Sequence, residues 1–251
     1  VQFVDIGGLV EGASKGEGLG NKFLAGIREA DAIVYVLRAF ADTDVPGSAD
    51  PLEHLRVLEI ELTLADLDSV ESQIDKRRKA LKSDQSLAGE VAALDAALAA
   101  LSEGTPVYRS DLGADHRAAL RPWFLLTNKP VMALVNLDEE QIADPDPVLD
   151  PVREELGGVA EVIGVCVQLE AGAAQLDADE RADLLDAYGL GEGSSIPTVQ
   201  DVVAGASPEA SRGAVVAAWV GAARAGQGAD GAQGGEVVAD DGFVRHVDAD
   251  L

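Results

Sequence analysis

The tightest constraint on this chain is the pattern in its first 37 residues: apolar segment, glycine-rich loop, helical stretch, second apolar run. Val1–Val4 reads as a strand. Asn21 to Ala30 places Phe23, Leu24 and Ile27 on one helical face. Ala32-Ile-Val-Tyr-Val-Leu37 is apolar throughout, the expectation for a parallel strand buried on both faces. Strand, loop, helix, strand is a βαβ unit, and it predicts an α/β layered sheet.

The first strand ends in Asp5-Ile-Gly-Gly8, a D-x-x-G, and opens onto Glu11-Gly-Ala-Ser-Lys-Gly-Glu-Gly-Leu-Gly20. In nucleotide-switch proteins an acidic side chain at such a strand tip approaches Mg²⁺, usually through a water, and the glycine N–H faces the γ-phosphate. Asp5 is therefore the candidate Mg²⁺ residue and Gly8 the candidate phosphate contact. Leu9 stands where many such enzymes place a water-orienting glutamine, and an aliphatic side chain cannot do that job. No catalytic residue is assigned; Ser14, Lys15 and Asn21 are polar candidates on the loop. Gly16-Glu-Gly-Leu-Gly20 does not have the G-x-G-x-x-G spacing of a dinucleotide loop. None of the six lysines follows a glycine, so the 251 residues contain no Walker A motif. The expectation is that a segment upstream of Val1 has been lost.

Beyond residue 50 the periodicity changes. Ile60, Leu67, Ile74 and Leu81 recur every seven residues, and Leu87, Val91, Leu94, Leu98 and Leu101 alternate four and three apart. Two such seams joined at Ser83-Asp-Gln-Ser86 predict an antiparallel coiled-coil hairpin inserted into the sheet domain. Strands return at Val131–Val135 and Glu161–Val167, with helices expected at 151–156, 178–188 and 198–204. From Gly205 the composition shifts to Gly and Ala, with possible strands at 215–220 and 236–247, and reads as a small separate module.

A second chemical site follows the strand at 131–135, at the edge where ligands of open α/β sheets bind. Guanine-specific switch proteins carry N-K-x-D there, and the Asp accepts two hydrogen bonds from guanine. This chain reads Asn136-Leu137-Asp138-Glu139. Leu137 offers an apolar surface to a base and Glu139 a longer carboxylate, so adenine becomes the favoured ligand. Asn128-Lys129 is a decoy, because Val131 stands where the Asp would be needed.

A net charge of −26 repels nucleic-acid phosphates, which argues against sequence-specific DNA binding. Lys76-Arg77-Arg78-Lys79 with Lys82 is the best local basic patch. The single cysteine, Cys166, cannot form an intrachain disulfide, which fits a reducing cytoplasm. The three histidines are scattered and suggest no zinc site. No apolar run approaches the ~20 residues of a membrane span.

With these residues in hand the chain resembles the YchF/Obg-like ATPase family of Obg-related P-loop nucleotide hydrolases. The matching runs are Phe3-Val-Asp-Ile-Gly-Gly-Leu-Val10, Gly12 to Leu24 and Ile27-Arg-Glu-Ala-Asp-Ala-Ile33. Asp50-Pro51, Glu61-Leu62 and Leu64-Ala-Asp-Leu67 match the start of the family's helical insertion, and Val135-Asn-Leu-Asp-Glu139 its adenine-preferring motif. The resemblance implies an α/β fold with an incomplete P-loop-type parallel sheet, an inserted coiled-coil hairpin and a partial C-terminal TGS-like α+β module. The implied boundaries are 1–48 and 123–204 for the two parts of the nucleotide-binding domain, 49–122 for the insertion and 205–251 for the tail. It implies Mg²⁺-dependent ATP hydrolysis, with GTP disfavoured, and association with the ribosome or a ribosomal subunit. Asp5 and Gly8 would serve the metal and γ-phosphate; Asn136, Leu137 and Glu139 would hold the base, and Glu170 falls near a similar acid. Ala218-Trp219 and Gly242-Phe-Val-Arg245 are the fragments of the TGS pattern. The alternative is a non-catalytic ribosome- or protein-binding module of the same descent.

Overall fold

The computed structural model describes residues 2–6, 24, 27–41, 48–188, 214–219, 237–238 and 244–245. Its centre is a five-stranded sheet in the order β1-β5-β2-β3-β4, every neighbouring pair parallel. The strands are β1 (Gln2–Ile6), β2 (Ala32–Arg38), β3 (Val131–Asn136), β4 (Glu161–Val165) and β5 (Ala214–Trp219). A parallel sheet needs cover on both faces, which is why β2 is apolar throughout. Ile33, Tyr35 and Leu37 enter the main core, while Ala32 and Val34 join Met132 on the other face.

β5 comes from the stretch expected to form a separate module. It lies instead between β1 and β2, with Val215 in register with both Phe3 and Ala32. The two strands of the N-terminal βαβ unit are therefore not neighbours. Farther along, β6 (Val237–Val238) and β7 (Val244–Arg245) form a short antiparallel pair. The helix expected at 198–204 lies outside the described residues.

Helix α1 spans Pro51–Leu81, 31 residues, and begins where Asp50 accepts a hydrogen bond from the Leu52 N–H at 2.9 Å. An Asp cap followed by Pro at the first helical position is a strong start signal. At ~1.5 Å per residue the helix is about 46 Å long, and it serves two partners. Leu55, Leu58, Leu62 and Ala65 pack in the main core with the sheet. Val70 and Ile74 pack instead with Ala93, Leu94, Ala97 and Leu101 of α2 (Ala88–Ser102). The seven-residue repeat thus holds only in the second half: Ile74 is buried, whereas Ile60 is 56% exposed. The second half is also broader than a two-helix seam, because Val107, Leu120 and Leu125 join the same cluster. Arg78 reaches Asp95 at 2.7 Å and Arg77 reaches Glu90 at 3.2 Å across the pair, exposed contacts worth a few tenths of a kcal/mol.

Two polar clusters sit inside this packing. Asp66 is fully buried on α1 and accepts the Leu126 N–H at 2.8 Å, the Thr127 N–H at 2.7 Å and the Thr127 hydroxyl at 2.7 Å. Burial still pushes its carboxyl above the usual range, against the pull of those donors. Glu59, also buried, accepts from the Tyr108 hydroxyl at 2.5 Å and from Arg109 at 2.6 Å, and Arg109 continues to Glu155. Burial raises the Glu59 carboxyl in the same way. Together they fasten α1 to the connection that leads into β3 and to α4 (Asp146–Leu156).

Helix α4 starts a turn before the expected residue 151, with Pro147 in its first turn and Pro151 inside it. It stops at Gly157, whose φ of 59° is the left-handed value that a glycine adopts cheaply. β4 ends at Val165, and α5 (Val167–Ala173) begins where the sequence predicted more strand. Helix α3 (Ala114–Leu120) and helix α6 (Ala178–Ala187) complete the described elements.

Two outcomes are expected. Asp66→Ala strands two buried backbone N–H groups and should lower unfolding free energy by about 3 kcal/mol in denaturant titration. Deleting residues 205–251 removes the strand between β1 and β2, so the thermal midpoint should fall sharply; an unchanged midpoint would mean that the tail is an independent module.

Candidate functional site

In a parallel sheet all strands end at one edge, so Asp5 at the end of β1 and Asn136 at the end of β3 share an edge. Two strands, β5 and β2, separate β1 from β3. At ~4.8 Å per strand the two positions are roughly 14 Å apart across the sheet, and Asp5 is level with Met132, so Asn136 lies about 13 Å farther along the strand direction. Gly8 and Leu9, with Ser14, Lys15 and Asn21, lie outside the described residues.

The loop after β3 is held from three directions. The Asn136 side-chain oxygen accepts the Val167 N–H at 3.1 Å, and the Leu137 N–H donates to the Val165 carbonyl at 2.7 Å. These two bonds tie the loop after β3 to the start of α5. They explain why β4 stops early: Asn136 supplies the acceptor for an opening N–H of the helix, a job a local cap would otherwise do. On the other side the Ala39 N–H donates to the Asn136 carbonyl at 2.9 Å, and the Gln141 amide donates to the Ala39 carbonyl at 3.1 Å. Asp138 and Gln141 close the loop on itself through reciprocal bonds of 2.9 and 3.0 Å.

Leu137 is in the core, 2% exposed, against Leu149 of α4. In this arrangement its side chain backs the loop and does not lie open for a base to stack on. Gly164 makes that possible: a Cβ at its position would lie 2.8 Å from Leu137 Cδ1 and 3.3 Å from Leu149 Cδ1. Glu139 stays at the surface, where its Oε2 accepts the Tyr188 hydroxyl at 3.0 Å. Glu170 lies in α5. Cys166 is buried immediately before α5, one residue past the end of β4.

A cavity of 390 Å³ lies beside this loop, lined by Ala39, Asp50, Pro51, Gln141, Pro147 and Val148. A larger one of 520 Å³ lies at the opposite end of the strands, around Arg28, Arg117, Phe124, Lys129 and Pro130. Lys129 is committed there: its ammonium donates to the Arg28 and Ala30 carbonyls at 3.0 and 2.5 Å. It is a structural cation far from the loop after β3.

Sequence reasoning missed Gln141, Gly164 and Tyr188. The Asp138…Gln141 spacing is a local signal for a closed turn. A glycine inside Val162-Ile-Gly-Val165 is one for close approach. Nothing in the local sequence around Tyr188 points to Glu139.

No family model matches the sequence. Ribosome-binding ATPase YchF of Escherichia coli O157:H7 is 41% identical over 199 residues, 76% of this chain and 54% of that protein. The protein of the same name from Bacillus subtilis is 37% identical over 198 residues, with the same coverage. The chain belongs to the YchF/Obg-like family. The solved structure of the Schizosaccharomyces pombe YchF GTPase agrees in fold, with a TM-score of 0.65 at 26% identity, covering 78% of this chain and 55% of that one. The chain thus spans about half the length of the curated YchF relatives it matches. Among the described residues no helix is long and apolar enough to cross a membrane.

The Leu137–Gly164 contact gives a direct check. Gly164→Val forces the Leu137 side chain out of its seat and should cost about 1–3 kcal/mol in thermal unfolding. Amide NMR shifts should move at Leu137 to Gln141 and not around Asp66.

Proposed function

We infer that this chain carries the base-recognition half of a ribosome-associated, Mg²⁺-dependent nucleoside-triphosphate hydrolase that prefers ATP to GTP. The observation that carries this reading is the Asn136 side chain bonded to Val167 N–H, because it locks the two loops flanking a base into one rigid edge. Glu139 would accept from the adenine amino group, and Leu137 would support the loop from beneath. Asp5 would approach Mg²⁺ through water, with Gly8 at the γ-phosphate.

Among the described residues no three His, Cys, Asp or Glu side chains gather as a metal cage. Mg²⁺ held by water and phosphate oxygens needs only one or two protein carboxylates, so a lone Asp5 fits it. When bound, that ion would neutralise charge developing on the phosphates. A phosphate loop must come from outside these 251 residues, since no lysine here follows a glycine. The ribosome enters through the names of the relatives, "Ribosome-binding ATPase YchF". The paired ends of α1 and α2, read as a coiled-coil arm, are the surface proposed to meet it. Within 205–251, Ala214–Trp219 belongs to the sheet as β5, and the stretch that carries the short β6–β7 pair is read as a divergent TGS-like remnant. The second reading is a non-catalytic ribosome- or protein-binding module of the same descent.

Two measurements separate these readings. Phosphate release from ATP and Mg²⁺ by this chain alone should equal the protein-free blank; turnover above it would exclude the non-catalytic module and overturn the need for an external phosphate loop. Saturation-transfer NMR should show adenine protons of ATP in contact with the chain, and Glu139→Ala should weaken that contact about tenfold. No adenine contact, or none sensitive to Glu139, would overturn the base-site assignment and leave the second reading.

A further inference from the structure

The carboxylate assigned to the base is not a free acceptor. Tyr188 sits at the C-terminal cap of α6, and its hydroxyl donates to Glu139 Oε2 at 3.0 Å, 49 residues away in sequence. Its position is set by packing. Leu185 of α6 is buried, and Arg181 Nε donates to the Ala173 carbonyl at the end of α5 at 3.0 Å. Helix α5 is in turn fastened to Asn136 through the Val167 N–H. The chain therefore turns back from β4 through α5 and α6 to bring a phenol onto the loop after β3.

A guanine edge offers two adjacent donors, the ring N–H and the amino group, which match the two oxygens of one carboxylate. Adenine offers one amino donor on its edge. A carboxylate with one oxygen already accepting a phenol proton keeps the other oxygen whole for a single donor, whereas a paired fit must share the engaged oxygen with the phenol and is weakened. Resting on the base-site reading above, we propose that Tyr188 is a specificity-determining positioning residue: by occupying Glu139 Oε2 it leaves Oε1 for an adenine amino group and disfavours guanine. Discrimination then comes as much from weakening guanine as from favouring adenine. The same bond holds the phenol proton more tightly than usual, since the neighbouring carboxylate raises the Tyr188 pKa.

Tyr188→Phe keeps the ring and removes the hydroxyl. ATP and GTP, each with Mg²⁺, are titrated into the 251-residue chain and into this variant, followed by saturation-transfer NMR. The wild type should favour ATP. The variant should bind GTP about three- to tenfold better relative to ATP, with an unchanged thermal midpoint. In a Glu139→Ala background the same substitution should leave the ratio unmoved. A signature that needs no nucleotide is the Tyr188 Cζ resonance, which should shift at neutral pH in Glu139→Gln. An ATP preference retained in full by Tyr188→Phe overturns the role of Tyr188 and leaves the base site standing. A wild type that binds neither nucleotide, or both equally, overturns the two together.

Discussion

A carboxylate buried in the middle of α1 organises this molecule. Asp66 accepts three hydrogen bonds from Leu126 and Thr127, in the short connection that leads into β3, and so ties the approach to β3 to the helix beneath it. A buried charge this far from water is tolerated only when its lone pairs are filled. The geometry of the turn is therefore constrained by the cost of leaving them empty. Once the start of β3 is set, so is its end, because its register with β2 and β4 runs unbroken to Asn136. The Glu59–Tyr108–Arg109 cluster reinforces the same joint from the side and extends it to α4.

The consequence is an edge on which three loops are braced against one another. Bonds from Ala39, Gln141, Val165 and Val167 converge on the stretch 136–141, and Leu137 anchors it from below. Such bracing holds the side chains of the loop in fixed positions. Helix α1 connects this edge to the rest of the chain. Its first half is a core helix of the sheet and its second half projects into the paired helices. A displacement of the pair therefore bears directly on the turn that carries Asp66.

Much of this was legible beforehand because it is periodic or local. The all-apolar run at 32–37 marks a central parallel strand, Asp50-Pro51 marks a helix start, and Asn136 to Glu139 marks a loop at a strand end. The heptad was half right. A seven-residue repeat says which residues share a stripe, but a long helix can turn different stripes to different partners along its length. Ile60 and Ile74 share a repeat and have opposite fates. The tail was read as separate because its composition changes. Composition does not reveal that a short apolar strand can pair between β1 and β2.

The sequence by itself determined the family, the class of sheet, the position of the D-x-x-G strand and the loop that follows β3. These are properties of short segments, in which spacing dictates which groups face one way. Tertiary structure alone decided that Leu137 lies buried beneath the loop, that Gly164 makes room for it, and that Tyr188 closes on Glu139. It also decided that β5 fills the sheet between two strands from the other end of the chain. Each of those depends on contacts between segments far apart in sequence, and those contacts are selected by packing and hydrogen-bond satisfaction over the whole fold.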